Sequence, residues 1–155
     1  MPSLSTEEIQ LISDSGLFDA AWYAEKYPDV GLVGLDPLEH FLRIGIYIKR
    51  NPWALFDCSY YISHFDGFTR PEIPLLDYLQ EGWRQHRNPH PLFDLAWYFE
   101  RNEDIRAAGI EPLAHFRFHG GFEGRQPHPA FPTYRVLERC PWLREMQCNP
   151  LEYYL

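Results

Sequence analysis

One short pattern returns along the whole chain, and a fixed period constrains a fold more than any local propensity does. Leu17-Phe18-Asp19 recurs as Leu55-Phe56-Asp57 and Leu92-Phe93-Asp94, then in degenerate form as Ala130-Phe131-Pro132, with the phenylalanines 38, 37 and 38 residues apart. A second anchor, Pro37-Leu38, returns as Pro74-Leu75, Pro112-Leu113 and Pro150-Leu151 at spacings of 37, 38 and 38. The third anchor is Gly45, Gly82 and Gly120, each followed by Arg50-Asn51-Pro52, Arg87-Asn88-Pro89 or Arg125-Gln126-Pro127. Three anchors in one register make chance similarity implausible.

The punctuation of each unit reads as two short helices. Asp19, Asp57 and Asp94 stand where an N-cap is needed to accept from first-turn amides. Phe18 and Tyr23, Phe56 and Tyr61, and Phe93 and Tyr98 have the spacing of a hydrophobic staple around those caps. The first helix is expected to stop near Pro28 and its counterparts Asp66, Glu103 and Pro141. The second opens with Asp36 as cap, Pro37 at the first helical position and Glu39 completing a capping box, an arrangement repeated by Asn149-Pro150-Leu151-Glu152. Gly45, Gly82 and Gly120 are expected to close it in the left-handed conformation. Before the first unit, Ser5-Thr6-Glu7-Glu8 is another capping box and predicts an N-terminal helix ending at Gly16. The expected fold is therefore all-α: one domain over residues 1–155, with an N-terminal helix in 1–16 and four degenerate helix pairs starting near 17, 55, 92 and 130, compact or drawn into a short solenoid.

Helices this short are marginal in isolation, so their aromatic faces must stack on neighbouring units. Trp22-Tyr23, Tyr60-Tyr61 and Trp97-Tyr98 recur at one repeat position and are read as packing residues. Arg135-Val136 replaces them in the fourth unit, as suits a more polar terminal repeat.

These pieces, Leu-Phe-Asp-x-x-Trp-Tyr, Tyr-Pro-Asp-Val, Asp-Pro-Leu-x-His-Phe and Gly-x-x-x-x-Arg-Asn-Pro, resemble a bacterial tandem repeat of large surface-polysaccharide proteins. Units of that kind flank glycosyltransferase or sulfotransferase domains. The resemblance runs from residue 17 to 155 and implies a glycan-related setting without a catalytic role for the units themselves.

The remaining composition narrows the function classes. A net charge of -8 lacks the basic face that neutralises phosphates, so no nucleic-acid partner is expected. No run approaches the roughly 20 apolar residues of a membrane span, and the first 16 residues lack a secretory signal. The expectation is a cytoplasmic location by default, with a cell-surface or particle-associated one reached by another route. Cys58, Cys140 and Cys148 are too few and too irregular for a disulfide framework or a zinc site, and read as reduced thiols.

No nucleophile elbow, phosphate-binding glycine loop or His-Glu-x-x-His motif is present, and the carboxylates at Asp19, Asp57 and Glu39 are already explained as caps. No catalytic residue, metal or cofactor is assigned. His40 and His115 share a repeat position that Asp77 and Tyr153 take in the other units, which suits a partly exposed interface better than a metal ligand. Recognition is usually written in positions that vary over a constant repeat frame. The turn after the closing glycine is such a place, holding Tyr47 in the first unit and Trp83, Arg84, Gln85 and His86 in the second. An indole face can cover sugar C–H groups while Arg, Gln and His bond hydroxyls. Trp83 follows the helix-ending Gly82, so it either folds back onto the helix or serves a ligand, and Trp53 beside Asn51-Pro52 has the same two readings. The leading expectation is a non-catalytic module that binds a glycan, or docks onto polysaccharide-handling machinery, at a bacterial surface. The alternative is a protein-interaction or attachment element of a larger envelope or particle assembly.

Overall fold

Most of the helices begin where a side chain supplies an acceptor for their first amides. The computed structural model describes residues 3–155. Helix α1 (Thr6–Asp14) opens with both halves of the Ser5/Glu8 capping box. Helices α2 (Ala20–Lys26), α4 (Cys58–Ile62) and α6 (Leu95–Arg101) start after Asp19, Asp57 and Asp94. Those carboxylates accept from the amides of Trp22, Tyr60 and Trp97 at 2.8, 2.9 and 3.0 Å. The staples form as well, with ring centroids 5.4, 5.4 and 5.3 Å apart for Phe18/Tyr23, Phe56/Tyr61 and Phe93/Tyr98. Helix α9 (Thr133–Arg139) follows Pro132 and has no side-chain cap.

The second helix of each unit appears as α3 (Pro37–His40), α5 (Pro74–Asp77), α8 (Pro112–His115) and α11 (Pro150–Tyr154). Asp36, Glu111 and Asn149 cap three of them, while Ile73 supplies no side-chain acceptor. Glu39 pairs with Arg43 at 3.2 Å and turns away from the reciprocal bond expected of a capping box. Between the paired helices lies a piece the two-helix reading omitted: a 3₁₀ turn over Pro28–Leu32, α7 (Glu103–Ala108) and α10 (Trp142–Glu145). Pro28 occupies the first position of its turn, where the missing N–H costs nothing. The second unit has a loop there instead, in which Asp66 accepts from the amides of Phe68 and Thr69.

The closing glycines correct a second expectation. Gly45, Gly82 and Gly120 stay right-handed inside π-helical turns over Phe41–Gly45, Tyr78–Gly82 and Phe116–Gly120. Positive φ falls four residues later, at Lys49 (59°), His86 (56°) and Gly124 (82°). What demands glycine is proximity: a Cβ at 45, 82 or 120 would collide with the hydroxyl of Tyr23, Tyr61 or Tyr98. Those tyrosines are fully buried, and each hydroxyl is anchored by the variable helix position, on His40 Nδ1 (3.0 Å), Asp77 (2.5 Å) and His115 Nδ1 (2.8 Å). His40 is thus a core residue at 1% exposure rather than a partly exposed one. Burial pushes the Tyr23 phenol up to about 12, so it remains a neutral donor or acceptor.

Consecutive units are sewn together by backbone. Pro52, Pro89 and Pro127 carbonyls accept from the amides of Asp19, Asp57 and Asp94 at 3.1, 2.9 and 2.9 Å. Asn51 and Asn88 each accept, at 2.9 Å, from the first amide of the helix that follows, at Cys58 and Leu95. Contacts between distant parts then fold the chain back on itself. Trp53 Nε1 donates to Glu152 Oε1 at 2.8 Å, and the Arg117 guanidinium lies 4.1 Å over the Trp53 ring. Arg117 also pairs with Asp19 and donates to the Gly16 carbonyl, while α1 packs on α5. The described residues form one compact all-helical body without strands, and the three cysteines are free thiols.

Two histidines give this core a pH dependence. Burial lowers the pKa of His90 and of His115 below the ordinary 6.5, and Arg125 adds to the effect at His115. His90 Nδ1 must stay unprotonated to accept from the Leu92 amide at 3.0 Å. The unfolded chain therefore binds protons that the folded chain refuses, and stability falls as pH drops through 6.5. Glu111, raised by burial, acts in the opposite sense. A His90→Asn variant, which keeps an acceptor and loses the titration, is expected to show a shallower loss of Tm between neutral and mildly acidic pH than the parent.

Candidate functional site

The aromatic residues expected to meet a ligand lie in three different neighbourhoods. Trp53 has no exposed surface and fills the contact among Arg117, Glu152 and its own turn. Trp83 is 8% exposed, with its ring 6.3 Å from Phe99 and the Arg84 guanidinium 4.3 Å above it. Neither indole offers an open face to a sugar, because an apolar residue just past a helix end gains more by folding onto the helix than by facing water. The second closing turn exposes Arg84, Gln85 and His86. Arg84 donates to the Gln80 carbonyl, Gln85 accepts from Arg87, and the His86 ring lies 5.7 Å from Phe99. Tyr47, half exposed on the first closing turn, is raised above its ordinary phenol value by desolvation and then by the nearby Glu72 carboxylate.

A different set of aromatics stands at the surface. In the Trp22-Tyr23 type of pair, the second member is fully buried while the first is only partly covered. Adjacent residues on a helix point about 100° apart, so a pair read jointly as core divides between two faces. Each partly covered aromatic has a cationic or titratable residue four positions on: Trp22 and Lys26, Tyr60 and His64, Trp97 and Arg101. Arg101 lies 4.0 Å over the Trp97 ring, and His64 stacks edge-on to Tyr60 at 4.8 Å. Beside Trp22, Glu25 and Lys26 border an open cleft of about 290 Å³. Trp97 Nε1 is buried without a hydrogen-bond partner among the described residues. The i, i+4 spacing of aromatic and cation was the signal available in the sequence.

The fourth unit departs from this scheme. Arg135 occupies the position of Trp22, Tyr60 and Trp97, and beside it a cleft of about 450 Å³ is lined by Gly124, Gln126, Thr133, Tyr134 and Arg135, with prolines at its rim. A local difference accompanies it. Gln126 replaces Asn51 and Asn88, and its longer side chain donates to the Pro129 carbonyl at 3.2 Å instead of accepting from the start of the next helix. Thr133 is fully buried and its Oγ1 has no hydrogen-bond partner among the described residues. Tyr134 is 62% exposed, with its hydroxyl on Glu138 at 2.6 Å.

The His115 and His119 rings lie 5.8 Å apart, and no group of three or more His, Cys, Asp or Glu among the described residues could hold a metal ion. No helix of the described residues is long and apolar enough to cross a membrane. Comparison with known protein families, with curated protein sequences and with solved structures finds no match to this chain.

Proposed function

We propose that this chain is a non-catalytic binding module that recognises a glycan, its four sequence units acting as tandem structural repeats of a short, folded-back solenoid. The observation that carries this reading is the partly covered aromatic with a cationic neighbour at one repeat position, Trp22/Lys26, Tyr60/His64 and Trp97/Arg101. An aromatic face accommodates the C–H side of a sugar ring, and an adjacent cation or imidazole bonds its hydroxyls or acidic groups. Repetition suits a repeating polymer, because each further contact on one chain is made at high effective concentration. The similarity of the sequence units to those of surface-polysaccharide proteins supports the same ligand class and a bacterial surface or assembly site. Binding of bacterial polysaccharides, followed by tryptophan fluorescence, is the test. Saturable binding that weakens about tenfold in Trp22→Ala or Trp97→Ala, a loss of about 1.4 kcal/mol, supports the reading. A blank across acidic and neutral polysaccharides overturns it.

A second reading, a protein-interaction or attachment module, is favoured by exposed apolar side chains between the paired helices. Leu32, Phe68 and Met146 are 87%, 102% and 71% exposed there. Saturable binding of a polypeptide that is indifferent to Trp22→Ala and Trp97→Ala and lost in Phe68→Ser would favour it.

A further inference from the structure

We infer that the cleft of the fourth unit takes a carboxylate-bearing sugar residue, with Arg135 as its anion partner; this rests on the glycan reading and specifies an acidic sugar for one unit. Three features of the cleft converge on that chemistry. Arg135 is exposed at the cleft and makes no ion pair with the described residues, whereas Arg117 and Arg125, on the preceding unit, are tied to Asp19 and to Asp104 and Glu123. A guanidinium that borders a concave site and has no internal partner is suited to two parallel bonds to a planar carboxylate. Gln126 donates once to the Pro129 carbonyl, leaving its second N–H and its carbonyl oxygen for hydroxyl groups.

The third feature is the wall. Tyr134 lines it, exposed and with its hydroxyl bonded to Glu138 at 2.6 Å, an aromatic ring suited to the apolar side of a pyranose. A ligand carboxylate is attracted by the Arg135 guanidinium and repelled by the Glu138 carboxylate that bonds the Tyr134 hydroxyl. The cleft volume of about 450 Å³ is ample for one sugar residue with its first waters.

The test is a ¹H–¹⁵N titration of the full chain at pH 7 with sodium glucuronate, with glucose and sodium acetate as comparison ligands. Saturable shifts confined to residues 124–135 with glucuronate, and weaker ones with glucose and acetate, are expected. Arg135→Gln should weaken glucuronate at least tenfold with an unchanged Tm, because the exposed side chain makes no ion pair or hydrogen bond with the described residues. No saturable shift, an equal response to glucose or to acetate, or binding indifferent to Arg135→Gln overturns the inference. Polysaccharide binding that survives Arg135→Gln yet fails in Trp22→Ala would overturn this site alone and leave the proposed function standing. Loss of all polysaccharide binding while glucuronate still fills the cleft would do the reverse.

Discussion

Trp53→Ala is expected to lower the free energy of unfolding by about 3–5 kcal/mol, the range for emptying a large core position. Tm should fall by roughly 10 °C for a chain of this length. The size follows from three losses at one point. The indole is wholly buried, its N–H satisfies Glu152, and its face supports the Arg117 guanidinium, which in turn holds Asp19 and the Gly16 carbonyl. Removing it uncovers a cavity and leaves the half-buried Glu152 and Arg117 with fewer partners, both costly in a low-dielectric interior. Trp53→Phe separates the contributions: it retains the ring beneath Arg117 and deletes the hydrogen bond, so a loss of about 1–2 kcal/mol is expected. Urea denaturation followed by far-ultraviolet circular dichroism measures both. A Trp53→Ala protein as stable as its parent would show that the closure between the first and last units contributes little.

Gly82→Ala should destabilise by about 1–3 kcal/mol even though alanine is the better helix former. A Cβ there meets the Tyr61 hydroxyl, which cannot retreat because it is buried and donates to Asp77 at 2.5 Å, with Arg87 bonded to the same carboxylate oxygen at 3.1 Å. Moving the ring breaks that network, while keeping it in place overpacks the turn. Tyr61→Phe removes the obstructing oxygen, so the double variant should be more stable than the sum of the two single effects predicts. A coupling energy of about 1 kcal/mol or more in the double-mutant cycle identifies steric exclusion as the reason for glycine. Additivity would instead mean that the two positions do not meet.

The same glycines show how far local rules carry. Their positions, and the caps at Asp19, Asp57 and Asp94, are legible because helix ends are governed by hydrogen bonds that close within a few residues. Their role is not legible, because left-handed backbone and close approach both select glycine and only the tyrosine from the first helix of the unit distinguishes them. His40 illustrates the same limit: alternation with Asp77 and Tyr153 reads as a partly exposed interface position, yet the common factor of His40, Asp77 and His115 is an anchor for a buried phenol.

The candidate site divides in the same way. Variation over the repeat frame points to Trp83 with Arg84, Gln85 and His86, the right residue types for a sugar, but the indole folds onto Phe99 and the partly covered aromatics are the first members of pairs read as core. Helical phase decides that outcome, since neighbours on a short helix face directions about 100° apart and only one can enter the core. The fourth-unit cleft was visible as a substitution, Gln126 for asparagine and Arg135 for an aromatic, without any indication that a cavity would open.

The order of residues alone thus determined the period, the helix starts, the staples and the all-helical class, each of which is settled by interactions within a few turns. Only the tertiary structure decided which aromatic faces are covered and that Trp53 meets Glu152, 99 residues away. Such a contact leaves no periodic trace in the sequence: its partners are brought together by the summed geometry of every turn between them, and burial is a property of that sum.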